Sequence, residues 1–170
     1  MKRAISAAIA ATILAAPAIA ETVAPADITF EDGGAVAASL TGAAGNAEAG
    51  AKAFATKSVG NCVSCHEVSA LADVPFPGNV GPSLDGVADR WSEAEIRGIV
   101  ADAKMTYDGT IMPSFYKVSG SIRPGKAYTG KGIDESELTP LLTAEQIEDI
   151  VAFLVTLTEY SKLNRPQRWD

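Results

Sequence analysis

The sequence predicts an all-α chain whose helices are joined by long ordered loops around something other than protein. Three observations predict it. Three stretches carry cap signals and apolar residues at helical spacing, no stretch alternates as a strand would, and the segments between helices are long and rich in glycine and proline. Loops of that length seldom pack a domain by themselves, so a non-protein group is expected at the centre.

Taken in order, Met1-Lys2-Arg3 is a short positive region, Ala4 to Ala16 is a small-residue apolar run, and Ala18-Ile19-Ala20 has the A-x-A form of a cleavage site. Residues 1–20 therefore read as a secretory signal peptide, the run being too short and too alanine-rich for a membrane anchor. Cleavage after Ala20 leaves 150 residues and, with Lys2 and Arg3 gone, takes the net charge from -7 to -9. No second apolar run of spanning length follows, so the mature chain is expected to be soluble, without a membrane span, outside the cytoplasm.

Residues 21–45 are poor in large apolar side chains and rich in Ala and Gly, and read as an N-terminal arm, extended or loosely ordered. The domain proper is expected over 46–170. Asn46 caps a helix running to about Lys57, with Gly50, Ala53 and Phe54 on one stripe, and Gly60 ends it. Residues 69–90 read as loop, punctuated by Pro75, Pro77, Gly78, Gly81 and Pro82. Ser92 and Glu95 form a capping box for a middle helix to about Ala103. Residues 106–139 are again loop-rich. Thr143 caps the last helix, with Gln146 three residues on and Ile147, Ile150, Val151 and Leu154 at helical spacing.

Composition narrows the function. A chain of 170 residues, 47% hydrophobic, can bury one core. A net charge of -7 argues against a nucleic-acid partner, which needs a basic face. Two cysteines cannot build a disulfide framework, and a single histidine excludes multi-histidine zinc sites.

Those two cysteines and that histidine stand together as Cys62-Val63-Ser64-Cys65-His66, the attachment signature of a c-type haem. Two thiols three residues apart reach the two vinyl groups of one porphyrin and form thioethers. The next residue then sits below the ring with its imidazole aimed at iron. A thioredoxin-like redox pair would need a preceding strand, and a zinc site would need further Cys or His ligands; the sequence offers neither.

Iron held by His66 takes a second axial ligand or keeps an open site. With no second histidine, methionine leads, a lysine or an open site being the less usual choices. Met112, followed by Pro113 in an extended loop, is the better candidate, and Met105 at the end of the middle helix reads as a core side chain. A His/Met iron is coordinatively saturated, which suits electron transfer rather than turnover. Pro82 is expected to accept a hydrogen bond from His66 through its carbonyl and fix the ring, the bland reading being an ordinary turn.

The order Cys62-x-x-Cys65-His66, Gly81-Pro82-x-Leu84 and Met112-Pro113 between two end helices resembles the class I cytochromes c, over about residues 46–160. The resemblance implies crossed end helices, Gly50 and Phe54 meeting Ile150 and Phe153, with long loops around one covalent haem c. The runs Gly60-Asn61-Cys62, Phe76 to Leu84, Met112 to Val118 and Thr143 to Leu154 are similar, more narrowly, to the SoxX family, the monohaem subunit of the SoxAX cytochrome of bacterial sulfur oxidation. What that implies is a periplasmic heterodimer with a SoxA-type subunit. The complex would conjugate thiosulfate to a cysteine of the carrier SoxY (L-cysteine S-thiosulfotransferase activity). This chain, not catalytic alone, would take the electrons and pass them to a small acceptor cytochrome. A free-standing electron shuttle and a haem-based sensor or peroxidase-like protein with an open iron are the alternatives. The acidic stretch Gly132 to Pro140 is longer than the family's usual approach to the last helix.

Between residues 104 and 131, Lys104, Lys117, Arg123, Lys126 and Lys131 face one acid, Asp108, in a chain that is acidic overall. A basic rim near the haem edge, steering an acidic partner, is one reading; a solvated loop is the other.

Overall fold

The computed structural model describes residues 21–120, 124–125 and 129–159, so the predicted signal peptide, residues 1–20, lies outside the described residues. Four α-helices are formed among them: α1 (Ala47–Ala55), α2 (Val87–Arg90), α3 (Glu93–Asp102) and α4 (Ala144–Leu154). The described residues contain no named strand, and a single isolated bridge pairs Gly125 with Gly132.

The helices begin where local chemistry dictates. The Asn46 side chain accepts from the Ala49 amide, and both Ser92/Glu95 and Thr143/Gln146 close full capping boxes. Helix α1 stops at Ala55, two residues short of the expected Lys57, where Thr56 turns extended.

Helices α1 and α4 pack directly across each other. A Cβ on Gly50 would stand 1.8 Å from the Asp149 carbonyl oxygen and 2.9 Å from Phe153 Cβ, so the backbones touch. Phe54 and Phe153 meet edge to face with ring centroids 5.7 Å apart. Ile150, expected against Gly50 or Phe54, has its Cδ1 3.4 Å from a Cβ built on Gly60. The Asn46 amide, donating to Asp149 Oδ1 at 2.7 Å, pins the N-terminal end of the crossing.

Residues 21–45 correct the expectation of a loosely ordered arm. Val36 and Leu40 are buried in the core, Leu40 to 1% exposure. The physical cause is a buried ion pair elsewhere in the chain. Arg97 of α3 and Glu148 of α4 are both buried, with Arg97 Nε 2.9 Å from Glu148 Oε1. Arg97 Nη1 donates to the Val36 carbonyl at 3.0 Å, and the Leu40 amide donates to Glu148 Oε1 at 2.8 Å. Gly98 lets the arm lie close, since a Cβ there would be 1.9 Å from the Gly34 carbonyl oxygen. Tyr116 Oη also donates to the Val23 carbonyl at 2.8 Å.

The short helix α2 lies in a stretch read as loop. Its Val87 is buried, the Ala88 amide donates to the Leu157 carbonyl at 3.2 Å, and Asp89 accepts from the Glu159 amide at 2.6 Å. Tertiary contacts with the chain beyond α4 hold it, since four residues cannot sustain a helix alone. The acidic stretch from Gly132 forms one 3-10 turn, Glu135–Glu137, capped by Asp134.

Candidate functional site

The site begins where α1 ends. Gly60 donates to the Ala53 carbonyl and Asn61 to the Thr56 carbonyl, and Asn61 then takes φ +50°, a left-handed conformation that asparagine tolerates. Its side chain accepts from Ser64 Oγ at 2.7 Å. A 3-10 turn over Cys62–Ser64 follows, and the Cys62 carbonyl accepts both the Cys65 amide at 3.0 Å and the His66 amide at 2.9 Å. One turn thus gathers both thiols and the imidazole.

A second segment runs parallel to this turn. Gly78 donates to the Val63 carbonyl, Gly81 to the Cys65 carbonyl and Leu84 to the Glu67 carbonyl, at 2.8, 2.8 and 3.0 Å. The approach needs its glycines. A Cβ on Gly78 would lie 1.8 Å from the Ser64 carbonyl oxygen, and one on Gly81 would lie 2.3 Å from His66 Cε1. Between them the strand of loop delivers the Pro82 carbonyl to 2.8 Å from His66 Nδ1. A carbonyl only accepts, so Nδ1 carries the proton and the Nε2 lone pair is left for a metal.

Burial and the neighbouring Cys65 push the Cys62 thiol up to about 12, so it is a neutral, apolar group at pH 7, packed against the core. Phe76, two residues before Gly78, and Val80, between the two glycines, are 93% and 64% exposed. A thiol pair and an imidazole gathered on one turn, the imidazole with Nδ1 tied to Pro82 and Nε2 left as the donor, are the donor set that a covalent haem requires.

Met112 lies on a separate loop docked at the end of α3. It is half-buried and packs against the core, while its neighbour Ile111 is 81% exposed. Met105 departs from its expected core position: it ends the 3-10 turn Ala103–Met105 and is 49% exposed. The structure therefore brings Cys62, Cys65, His66 and Pro82 together and holds Met112 on its own loop.

The basic segment is partly engaged within the molecule. Lys104 Nζ donates to the Met112 carbonyl at 2.6 Å, and Lys117 Nζ is 3.2 Å from Asp102 Oδ2. Arg123 and Lys126 lie outside the described residues.

A model of the cytochrome c family matches residues 47–158. The chain belongs to the cytochrome c family. A comparison with curated proteins gave no match. Among solved structures, this cytochrome is similar to a chain of SoxXA from P. pantotrophus, with 56% sequence identity and a TM-score of 0.77, covering 81% of this chain and 98% of that one. That match bears out the SoxX resemblance drawn from the sequence. The class I fold and the covalent haem c expected from the motifs are those of the family to which this cytochrome belongs.

No described helix is long and apolar enough to cross a membrane. Sequence reasoning missed Asp102 and Ser114 and read Lys104 only as part of a basic segment; together the three tie the Met112 loop to α3.

Replacing Gly81 with alanine should force the His66 ring to turn and lose its Pro82 contact, a change costing about 1–3 kcal/mol of stability as overpacking usually does. Thermal denaturation of the holoprotein measures the loss, and the His66 Nδ1–H resonance of the reduced protein should shift. An unmoved resonance would mean the glycine is not what holds the ring.

Proposed function

We propose that this cytochrome is the electron-transfer subunit of a SoxXA-type complex working in the periplasm. Cys62 and Cys65 carry the haem, His66 and Met112 are the axial ligands, and the Pro82 carbonyl orients His66. The observation that carries the reading is the 56% identity along 98% of a SoxXA chain. The site supports it, because the chain's one imidazole presents Nε2 with Nδ1 tied to Pro82.

When bound, the haem supplies a one-electron couple, and His/Met ligation raises its potential relative to two histidines. The residues of this chain bind and orient. The Pro82 carbonyl fixes the ring of His66, and Pro113 restrains the extended path at Met112. With Cys62 and Cys65 committed to thioethers, no thiol remains in this chain to react with thiosulfate. Conjugation of thiosulfate to a SoxY-type carrier therefore belongs to the complex, on a SoxA-type partner. This subunit takes the two released electrons one at a time and passes them to a small acceptor cytochrome.

The test is affinity isolation of the tagged chain from its native periplasm, with the denaturing gel stained for covalent haem. A second haem-staining polypeptide in equal amount is expected. A lone haem band that persists under mild salt would favour a free-standing shuttle. No stain on this chain, after expression with its maturation system, would overturn both.

A further inference from the structure

We infer that Asp102 is a positioning residue for the axial methionine, acting with Lys104 to clamp the Met112 loop onto the end of α3. The inference rests on Met112 being the iron ligand. Asp102 is the last residue of α3 and is 4% exposed. A carboxylate that deep needs partners, and all three it has come from residues near Met112 or from the adjoining turn. Its Oδ1 accepts from Ser114 Oγ at 2.6 Å and from the Lys104 amide at 3.2 Å. Its Oδ2 accepts from Lys117 Nζ at 3.2 Å.

The main chain of Met112 is held at both ends by side chains. Its amide donates to Thr110 Oγ1 at 3.2 Å, and its carbonyl accepts from Lys104 Nζ at 2.6 Å. Beyond Ser114, the Tyr116 amide donates to the Ala101 carbonyl at 2.9 Å, one residue before Asp102. From Met112 onward the loop is therefore fastened to one helix end and the turn that follows it, and three of the fastenings, from Lys104 to the Met112 carbonyl and from Ser114 and Lys117 to Asp102, are charge-assisted. A thioether is a weak, neutral ligand, so its residence on iron depends on how far the loop can swing. Holding the Met112 main chain and the Ser114 and Lys117 side chains limits that swing.

The experiment uses the ferric holoprotein and follows two signals: the methionine–iron charge-transfer absorbance and the rate at which cyanide displaces the methionine. Asp102→Ala and Lys104→Met should each raise the cyanide rate about tenfold, the size expected for losing a charge-assisted hydrogen bond. Asp102→Asn, which can still accept from Ser114, should fall between Asp102→Ala and the parent. Lys104 is exposed, and its replacement leaves the core intact, so this arm stands even if Asp102→Ala fails to fold. Met112→Ala separates the two ideas. If it leaves the absorbance unchanged, the ligand assignment itself is wrong. If it abolishes the absorbance while Lys104→Met and Asp102→Asn exchange at the parent rate, the clamp is wrong.

Discussion

Replacing Glu148 with alanine is expected to destabilise the holoprotein by about 3 kcal/mol, because it takes the buried partner from the Arg97 guanidinium and leaves it only the exposed carboxylate of Glu93, one turn earlier on α3. The same change strips the Leu40 amide of its acceptor, so the arm should loosen along with the core. Urea denaturation followed by haem absorbance reads the first effect, and limited proteolysis within 21–45 reads the second. Glu148→Gln keeps an acceptor for Leu40 and should cost less. Replacing both partners by Arg97→Met and Glu148→Leu should be milder than either alanine alone, since a buried pair is dear to break and cheap to replace. A loss below about 1 kcal/mol for Glu148→Ala, the range of exposed pairs, would show that the pair is not buried as described.

Gly50→Ala offers a result whose sign decides the matter. By helix propensity alone, alanine in place of glycine inside a helix stabilises by about 1 kcal/mol. Here the new Cβ would stand 1.8 Å from the Asp149 carbonyl oxygen, a distance no packing tolerates. Helices α1 and α4 would have to separate, and the Phe54–Phe153 edge contact would go with them. Destabilisation of about 3 kcal/mol or more is expected, at the upper end of overpacking effects. Thermal unfolding of the holoprotein measures it, and an increase in midpoint temperature would remove the close crossing from the account.

What the sequence disclosed and what it concealed divide along one physical line. Caps are local chemistry, with Asn46, Ser92 and Thr143 each acting within three residues, and all three helix starts were legible. The Cys62-x-x-Cys65-His66 run is equally local, and the family match agrees with it. The crossing came from resemblance and was right for Gly50 against Phe153, less so for Ile150. Of the two readings of the arm, the loosely ordered one failed because its anchor is charged. Arg97 and Glu148 read as surface residues until each is seen to bury against the other, 51 positions apart. Helix α2 was missed for the same reason, as its partners Leu157 and Glu159 lie some 70 residues on. Met105 was misplaced because the 3-10 turn after α3 rotates it outward, a change no periodicity announces.

The parallel pairing of residues 63–67 with 78–84 carries a kinetic consequence. His66 and Pro82 are 16 positions apart, whereas Asn46 and Asp149, at the helix crossing, are 103 apart. Closing the shorter loop costs about 1.6 kcal/mol less chain entropy than closing the longer one, from the logarithmic dependence on length. The proximal half of the site is thus a local structure, able to assemble while the two ends of the chain are still apart. The order of events that follows is for the imidazole to be aimed first and for α1 and α4 to close afterwards, so that the non-local step finishes around a ligand already in place.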